Sequence, residues 1–255
     1  MAYIVWDHTV HYVNDLQKAM GKFKEKGLIA FIGGSHKQWG TYNALSYFDL
    51  CYIEFLGVED RELAESIVEP NDVVKDAVTL LPDREELSRV ALRTDDIEEV
   101  RKQLSLFQLD MSPIIDGKRL DAQGNLIEWK MMTIAGDYQG LPYPFVIQWA
   151  GDDQERRERL IDSRVIQKHP AGDIRIKEAV FEAENPIAIA KHWQELFGFE
   201  IVLTDSTETR LAVGEQTFVF TQGSANRMQQ LHFQTENPVL KGKTITIGEG
   251  EYKFL

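Results

Sequence analysis

His8 and His11, three apart in DHTVHYV, look at first like an H-x-x-H chelate. The alternation around them reads as a strand, and on a strand an odd spacing sends two side chains to opposite faces. They cannot share an ion. If Val10 and Tyr12 line the His8 face, His11 looks toward a helix layer or solvent. His36 stands in GGSHKQWGTYN, a glycine-bounded segment expected to form the turn of a hairpin. It lacks the G-x-x-x-x-G-K-[ST] pattern, so a phosphate loop is not expected. Cys51 is the single cysteine, which excludes an intrachain disulfide and a thiolate metal cage. Within CYIEFLGV it is expected as a buried, inert thiol. No Ser-His-Asp order and no dinucleotide fingerprint can be defended, which argues against a serine hydrolase and a dehydrogenase.

These residues depend on a strand-to-helix step that the chain makes three times, at DHTVHYVNDLQKAM, SRVALRTDDIEEVR and KEAVFEAENPIAIA. In the first, Asn14 or Asp15 can cap a helix whose apolar face is Leu16, Ala19, Met20 and Phe23, with Gly27 at its end. In the second, Asp95 or Asp96 caps Ile97, Val100, Leu104 and Phe107. In the third, Asn185 caps and Pro186 suits the first helical position, ahead of Ile189, Trp193, Leu196 and Phe197. Three strand-like segments follow each helix, so each unit reads β-α-β-β-β, the first near 4–58 and the second near 88–151. MQQLHFQTENPV and KTITIGEGEYKFL read as a partial fourth. Units too small to close a core alone must pair across a shared sheet. Two short helices split at Pro70 are expected between the first two units. The run ERRER (155–159) alternates in sign and reads as a solvated helix face. The charged stretch that contains it ends in Pro and Gly, which places a boundary there. The expected domains are 1–155, a charged linker over 156–174, and 175–255.

With 43% hydrophobic and 27% charged residues the composition is that of a globular protein, not a disordered one. The 28 basic and 41 acidic residues leave a net charge of −13, which repels nucleic acid and anionic membranes. No apolar run reaches the length of a membrane span, and the N-terminus lacks the layout of a signal peptide. The expected location is cytoplasmic, with no nucleic-acid or membrane partner.

The paired βαβββ units, together with DHTVHYVNDLQKA, IGGSHKQWGTYNALSYF…CYIEFLG and LPYPFVIQWAG followed by KHP, resemble the glyoxalase-like branch of the vicinal oxygen chelate superfamily. That superfamily groups glyoxalase I, extradiol dioxygenases and bleomycin-resistance proteins. The resemblance covers roughly residues 3–175 and extends to the last third through its repeated topology. It implies an α+β fold in which repeated βαβββ modules pair into cup-shaped mixed sheets, with a small-molecule site in the concavity. Modules of this kind often pair between chains, so it also implies a homodimer.

In metal-dependent members the first and last strands of each module each supply one ligand. Carried over, this offers His8 and Glu54 from the first module, a pair suited to Zn, Mn, Fe or Ni. Aligning Asp15-Leu16 with Asp96-Ile97 sets Arg89 opposite His8, and aligning IEFLG with IQWAG sets Gln148 opposite Glu54. An arginine cannot ligate a metal and Gln148 offers one neutral oxygen. Only half of the ligand set remains, and the expectation is a cup without a resident divalent metal, in which Arg89 pairs with Glu54 or binds a substrate carboxylate. The resemblance places the His36 loop at the cup, which adds His36, Thr41 and Asn43. Trp129, Tyr12 and Tyr47 are candidate pocket walls, and Trp149 is expected to point away from Gln148 into core. Asn185 aligned with Asn14 sets Ala179 at the His8 position, so the third module reads as having lost its ligand. His192 on the third helix is expected at the surface or in a dimer contact. Two functions stay open. One is an enzyme of the lyase, isomerase or dioxygenase class with His8 and Glu54 catalytic and Arg89 and Gln148 holding substrate. The other is a non-catalytic protein that binds or sequesters a small molecule.

Overall fold

The computed structural model describes residues 2–121 and 124–255. The first unit is β1 (Val5–Tyr12), α1 (Leu16–Lys24), β2 (Phe31–His36), β3 (Thr41–Phe48) and β4 (Cys51–Val58). Two short helices follow, α2 (Arg61–Ser66) and α3 (Asp72–Leu80), on either side of Pro70. The second unit is β5 (Glu86–Arg93), α4 (Ile97–Leu104), β6 (Ile115–Leu120), β7 (Leu126–Met132), a small ladder of β8 (Asp137–Tyr138) with β9 (Leu141–Pro142), and β10 (Phe145–Trp149). Helix α5 (Asp153–Asp162) leads to the third unit, β11 (Ile174–Ala183), α6 (Pro186–Phe197), β12 (Glu200–Thr204), β13 (Glu208–Val213) and β14 (Gln216–Gln222). The partial fourth, β15 (Arg227–Thr235), β16 (Thr244–Ile247) and β17 (Gly250–Phe254), has no helix.

Each of the three major helices starts where its cap permits. The side chains of Asp15, Asp96 and Asn185 accept from the amide three residues on, and α6 ends on Gly198 in the left-handed conformation. The expected apolar faces are buried: Leu16, Ala19 and Phe23; Ile97, Val100 and Leu104; Ile189, Trp193, Leu196 and Phe197.

The first two units form one eight-stranded sheet in the order β2-β3-β4-β1-β5-β10-β7-β6. The two first strands, β1 and β5, lie antiparallel at its centre, and each pairs in parallel with the last strand of its own unit. The sheet curls until its edges meet, where Arg119 on β6 donates to the Gly33 carbonyl on β2 at 2.6 Å and Gln38 donates to the Lys118 carbonyl. This is the expected α+β cup. The other units repeat the plan in a seven-stranded sheet, β12-β13-β14-β11-β15-β17-β16. The helices and the convex sheet faces make one core, in which Trp6 meets Phe218, Phe23 meets Tyr252 and Phe48 meets Phe233. A second core, with Val10, Leu56, Trp129, Phe145 and Ile147, fills the concavity under α3.

The stretch read as a linker is in large part ordered against the cup. It takes in most of α5, and beyond that helix His169 takes the Ile29 amide and reaches the Tyr47 carbonyl. His192, half-buried, likewise ties the two halves of the chain, against the Tyr143 hydroxyl at 3.0 Å and stacked on Tyr138. No described helix is long and apolar enough to cross a membrane. Cys51 is buried and burial pushes its thiol up to about 12. A disulfide reagent at pH 8 is therefore expected to leave the native protein unmodified and to react fully in urea; rapid native labelling would contradict this packing.

Candidate active site

Strand β1 departs from regular alternation at one point. Trp6 lies opposite Leu92 and His8 opposite Ala91, so Asp7 is an extra residue in a β-bulge. A regular strand would send Asp7 and His8 to opposite faces; the bulge brings both carboxylate and imidazole to the cup. Asp7 is fully buried and accepts four hydrogen bonds. Its Oδ1 takes Arg93 Nη1 at 2.8 Å and Arg156 Nη1 at 2.7 Å, and its Oδ2 takes His8 Nδ1 at 2.8 Å and Trp149 Nε1 at 3.1 Å. Burial alone would raise its pKa, but Arg156, His8 and Arg93 outweigh that and hold it far below the carboxylate range.

His8 Nε2 faces Glu54 Oε2 at 3.4 Å, and the ring stacks on Tyr52 with Phe145 at its edge. Burial disfavours the charged imidazole, yet hydrogen bonds to Asp7 and Glu54 raise its pKa overall. Glu54 moves the other way, to about 2: burial opposes ionisation, and His8, His36 and Asn43 overcome it. Asn43 Nδ2 donates to Glu54 Oε1 at 2.6 Å. His36 lies buried at the end of β2 rather than in the turn beyond it, and burial lowers its pKa to about 4. As a neutral ring facing the Asn43 amide through Nε2, it donates from Nδ1 to Thr41 Oγ1 at 2.9 Å. The floor of the cup thus sets an imidazole, its charged form favoured, between two carboxylates, in walls of Trp39, Trp129, Trp149 and Tyr52. Trp129 lies flat over Gly117, where any Cβ would collide with its ring. The open space at the floor is about 50 Å³, enough for one functional group of a ligand. A larger space of about 790 Å³ continues toward α5 and shares Leu45, Arg119 and Trp149 with the floor.

Helix α5 contributes to this centre. Its first turn carries Asp153, which receives both Arg93 Nε and Nη2 at 2.7 Å, and one turn on is Arg156, only 4% exposed and 4.5 Å over the Trp149 ring. Asp7, Glu54 and Asp153 balance His8, Arg93 and Arg156, three charges of each sign. The ERRER run is therefore not wholly solvated. Residues Asp7, Arg93, Arg156 and Asp153 were missed by pattern reading, because nothing in sequence marks the bulge or the buried member of a charged helix.

Four placements need correcting. Arg89 does not face His8 or Glu54. A second bulge sets Thr9 opposite Val90 but His11 opposite Leu87, and Arg89 turns to Asp76 at 2.6 Å and to the carbonyls of Ile134 and Tyr143. Gln148 is not opposite Glu54. Val10 pairs with Glu54 as Ala91 pairs with Phe145, so Phe145 holds that register, and Gln148 faces outward to bind the Ile97 amide and the Asp95 carbonyl at the start of α4. Ala179 is not at the His8 register. The caps are Asp15 and Asn185, and the β1 bulge recurs with Ile176 opposite Phe233 and Glu178 opposite His232, so Glu178 stands there. Trp149 points away from Gln148 as expected, yet into the cup. Tyr12 is buried on the cup side, but its hydroxyl donates to the Val73 carbonyl and fastens α3. His11 faces the opposite way, against Tyr252 and Phe55. Trp129, Asn43 and His36 do line the cup.

The second unit presents Ala91, Phe145 and Ile147 to the cup, so no carboxylate or imidazole faces His8 and Glu54 from that side. Among the described residues no three His, Cys, Asp or Glu side chains are grouped to hold a metal ion. Two donors fall short of the three that a catalytic divalent site needs, so the residues present do not fit a resident metal.

The profile of the glyoxalase-like domain family matches residues 6–197. No curated protein matches the sequence. A hypothetical protein from Staphylococcus aureus superposes with a TM-score of 0.85 at 22% identity, covering 99% of both chains. A homoprotocatechuate 2,3-dioxygenase variant from B. fuscum gives 0.59 at 12% identity, over 99% of this chain and 71% of that one. A mutant 4-hydroxymandelate synthase from Streptomyces coelicolor gives 0.56 at 11%, over 94% and 73%. At these identities the superpositions speak for the fold, and the profile for the family. The chain belongs to the glyoxalase-like domain family.

Proposed function

We propose that the cup catalyses proton transfer at a carbon next to a carbonyl, an isomerase reaction on a small oxygenated molecule that needs no metal. The observation that carries this reading is the Asp7–His8–Glu54 chain, an imidazole within reach of two carboxylates in an aromatic enclosure. Glu54 removes the C–H proton. The freed electron pair moves into a carbon–carbon double bond, and the carbonyl oxygen takes the proton from His8 Nε2. Return of the protons, at the same or the neighbouring carbon, completes the reaction without net oxidation. The loose 3.4 Å contact between His8 and Glu54 lets a substrate oxygen take over the Nε2 proton. Glu54 then loses its main partner, burial dominates, and its basicity rises when it is needed. Asp7 keeps His8 charged and oriented through Nδ1.

The test is proton exchange in D2O, followed by NMR, on a panel of 2-hydroxy and 2-keto carbonyl compounds such as hydroxyacetone and 2-ketobutyrate. The protein is expected to exchange the C–H beside the carbonyl of at least one member, and Glu54→Gln to stop it. Binding without exchange across the panel would leave a sequestering protein and sink the catalytic reading.

The pH profile follows from the same groups. His8 must be protonated and its pKa is raised, so kcat/KM is expected to hold through pH 6.5 and fall only above it. Glu54, at about 2, sets no limb in the neutral range. Loss of activity centred below pH 6.5 would contradict a charged His8.

A further inference from the structure

The space between the cup floor and α5 is lined by Arg119, Arg156, Arg159 and Arg164, beside Asp121 and Glu128. Among the described residues Arg119, Arg159 and Arg164 make no ion pair. Arg156 is paired through Nη1 with Asp7, but its Nη2 is buried with no hydrogen-bond partner. Arg159 donates to the Ala150 carbonyl at 2.7 Å, and four guanidinium groups against two carboxylates at one cavity are unexpected in a chain of net charge −13. Between them the walls are apolar, with Phe31, Ile32, Tyr47, Leu126, Leu160 and Val165. Arg119 stands at the junction, lining both spaces and held by the Gly33 carbonyl.

We propose that this antechamber seats an acidic group of the ligand, which is a small organic anion with an apolar or aromatic body. The body lies along the apolar walls and the anion meets the guanidinium groups, Arg119 first, by charge-assisted hydrogen bonds. Which end of the molecule then reacts rests on the acid–base reading of the cup; the anion seat itself does not. A carboxylate and a phosphate monoester satisfy the same donors.

Calorimetric titration of the full chain with phenylacetate, phenylacetamide and phenyl phosphate tests this. Phenylacetate or phenyl phosphate is expected to bind on the order of 10–100-fold tighter than the amide, the scale of hydrogen bonds to charged groups. The tighter of the two acids identifies carboxylate or phosphate as the matching group. Arg119→Gln is expected to abolish the preference while the amide still binds, which shows the cavity intact, and Arg159→Gln to weaken it. Equal binding of acid and amide, a preference that survives both substitutions, or no binding of either acid at millimolar concentration overturns the proposal. Glu54→Gln separates the two readings, since it should keep the acid preference while losing exchange. Exchange that depends on Glu54 with no acid preference sinks the anion seat alone, and acid preference without exchange sinks the catalytic reading alone.

Discussion

An Asp7→Asn variant is expected to lose about 3–5 kcal/mol of stability, the range for a buried ion pair deprived of one partner. The amide keeps the volume and its oxygen can still accept from both guanidinium groups, but the NH2 in place of Oδ2 meets the His8 and Trp149 donors, and Arg93 and Arg156 lose the charge of Asp7 in a site closed to water. A chain of this size has roughly 5–15 kcal/mol to lose, so the variant should unfold at markedly lower urea. Asp153→Asn is the comparison. Asp153 is one-third exposed, and solvent screening should limit its loss to about 1 kcal/mol. Equal urea midpoints for the parent and Asp7→Asn would mean that the guanidinium groups find other partners, and the central role of Asp7 would fail. The pH dependence has a definite sign. Asp7 and Glu54 have lowered pKa values, so their contribution is present above the ordinary carboxylate range and is lost as the pH falls through it toward the folded values. His8 has a raised pKa, so its contribution is present below pH 6.5 and is lost as the pH rises through the folded value. Stability should be greatest between these limits, and Asp7→Asn should flatten the acid side.

Glu54→Gln is expected to lower kcat/KM by about 10²–10⁴-fold with the fold retained, the usual contribution of a positioned general base. The amide is nearly isosteric and keeps an oxygen for the Asn43 donor, so the cup should stay closed. What disappears is the acceptor for a carbon-bound proton and one of the two charges that raise the His8 pKa. The NMR titration of His8 should therefore move down in Glu54→Gln, an effect that a packing defect alone would not produce. An activity loss below tenfold, or an unmoved His8 titration, would remove Glu54 from the mechanism. Asn43→Ala serves as a milder companion, since it strips one donor from Glu54 without touching its charge.

The units, their order and their pairing were legible in the sequence because they rest on local rules. Caps at Asp15, Asp96 and Asn185, apolar faces at helical spacing and the closing Gly198 depend on neighbours a few residues away. Strand alternation separated His8 from His11, and repetition of βαβββ implied a shared sheet. His8 and Glu54 were named from the ligand positions that the resemblance carries over, His36 and Asn43 from the loop it places at the cup, and Trp129 from its strand. Arg89 and Ala179 went astray because each rested on counting residues along a strand from a cap, where a single inserted residue or a cap misplaced by one reverses the face, and Gln148 because matching IEFLG to IQWAG sets the register three residues off. The tertiary structure alone decided that Asp7 shares a face with His8, that Arg93 rather than Arg89 is the arginine of the centre, and that Arg156 leaves a charged helix to enter the core. A bulge has no periodic signature, and a buried arginine differs from a solvated one only in having a carboxylate to meet, which here lies 149 positions away in the chain.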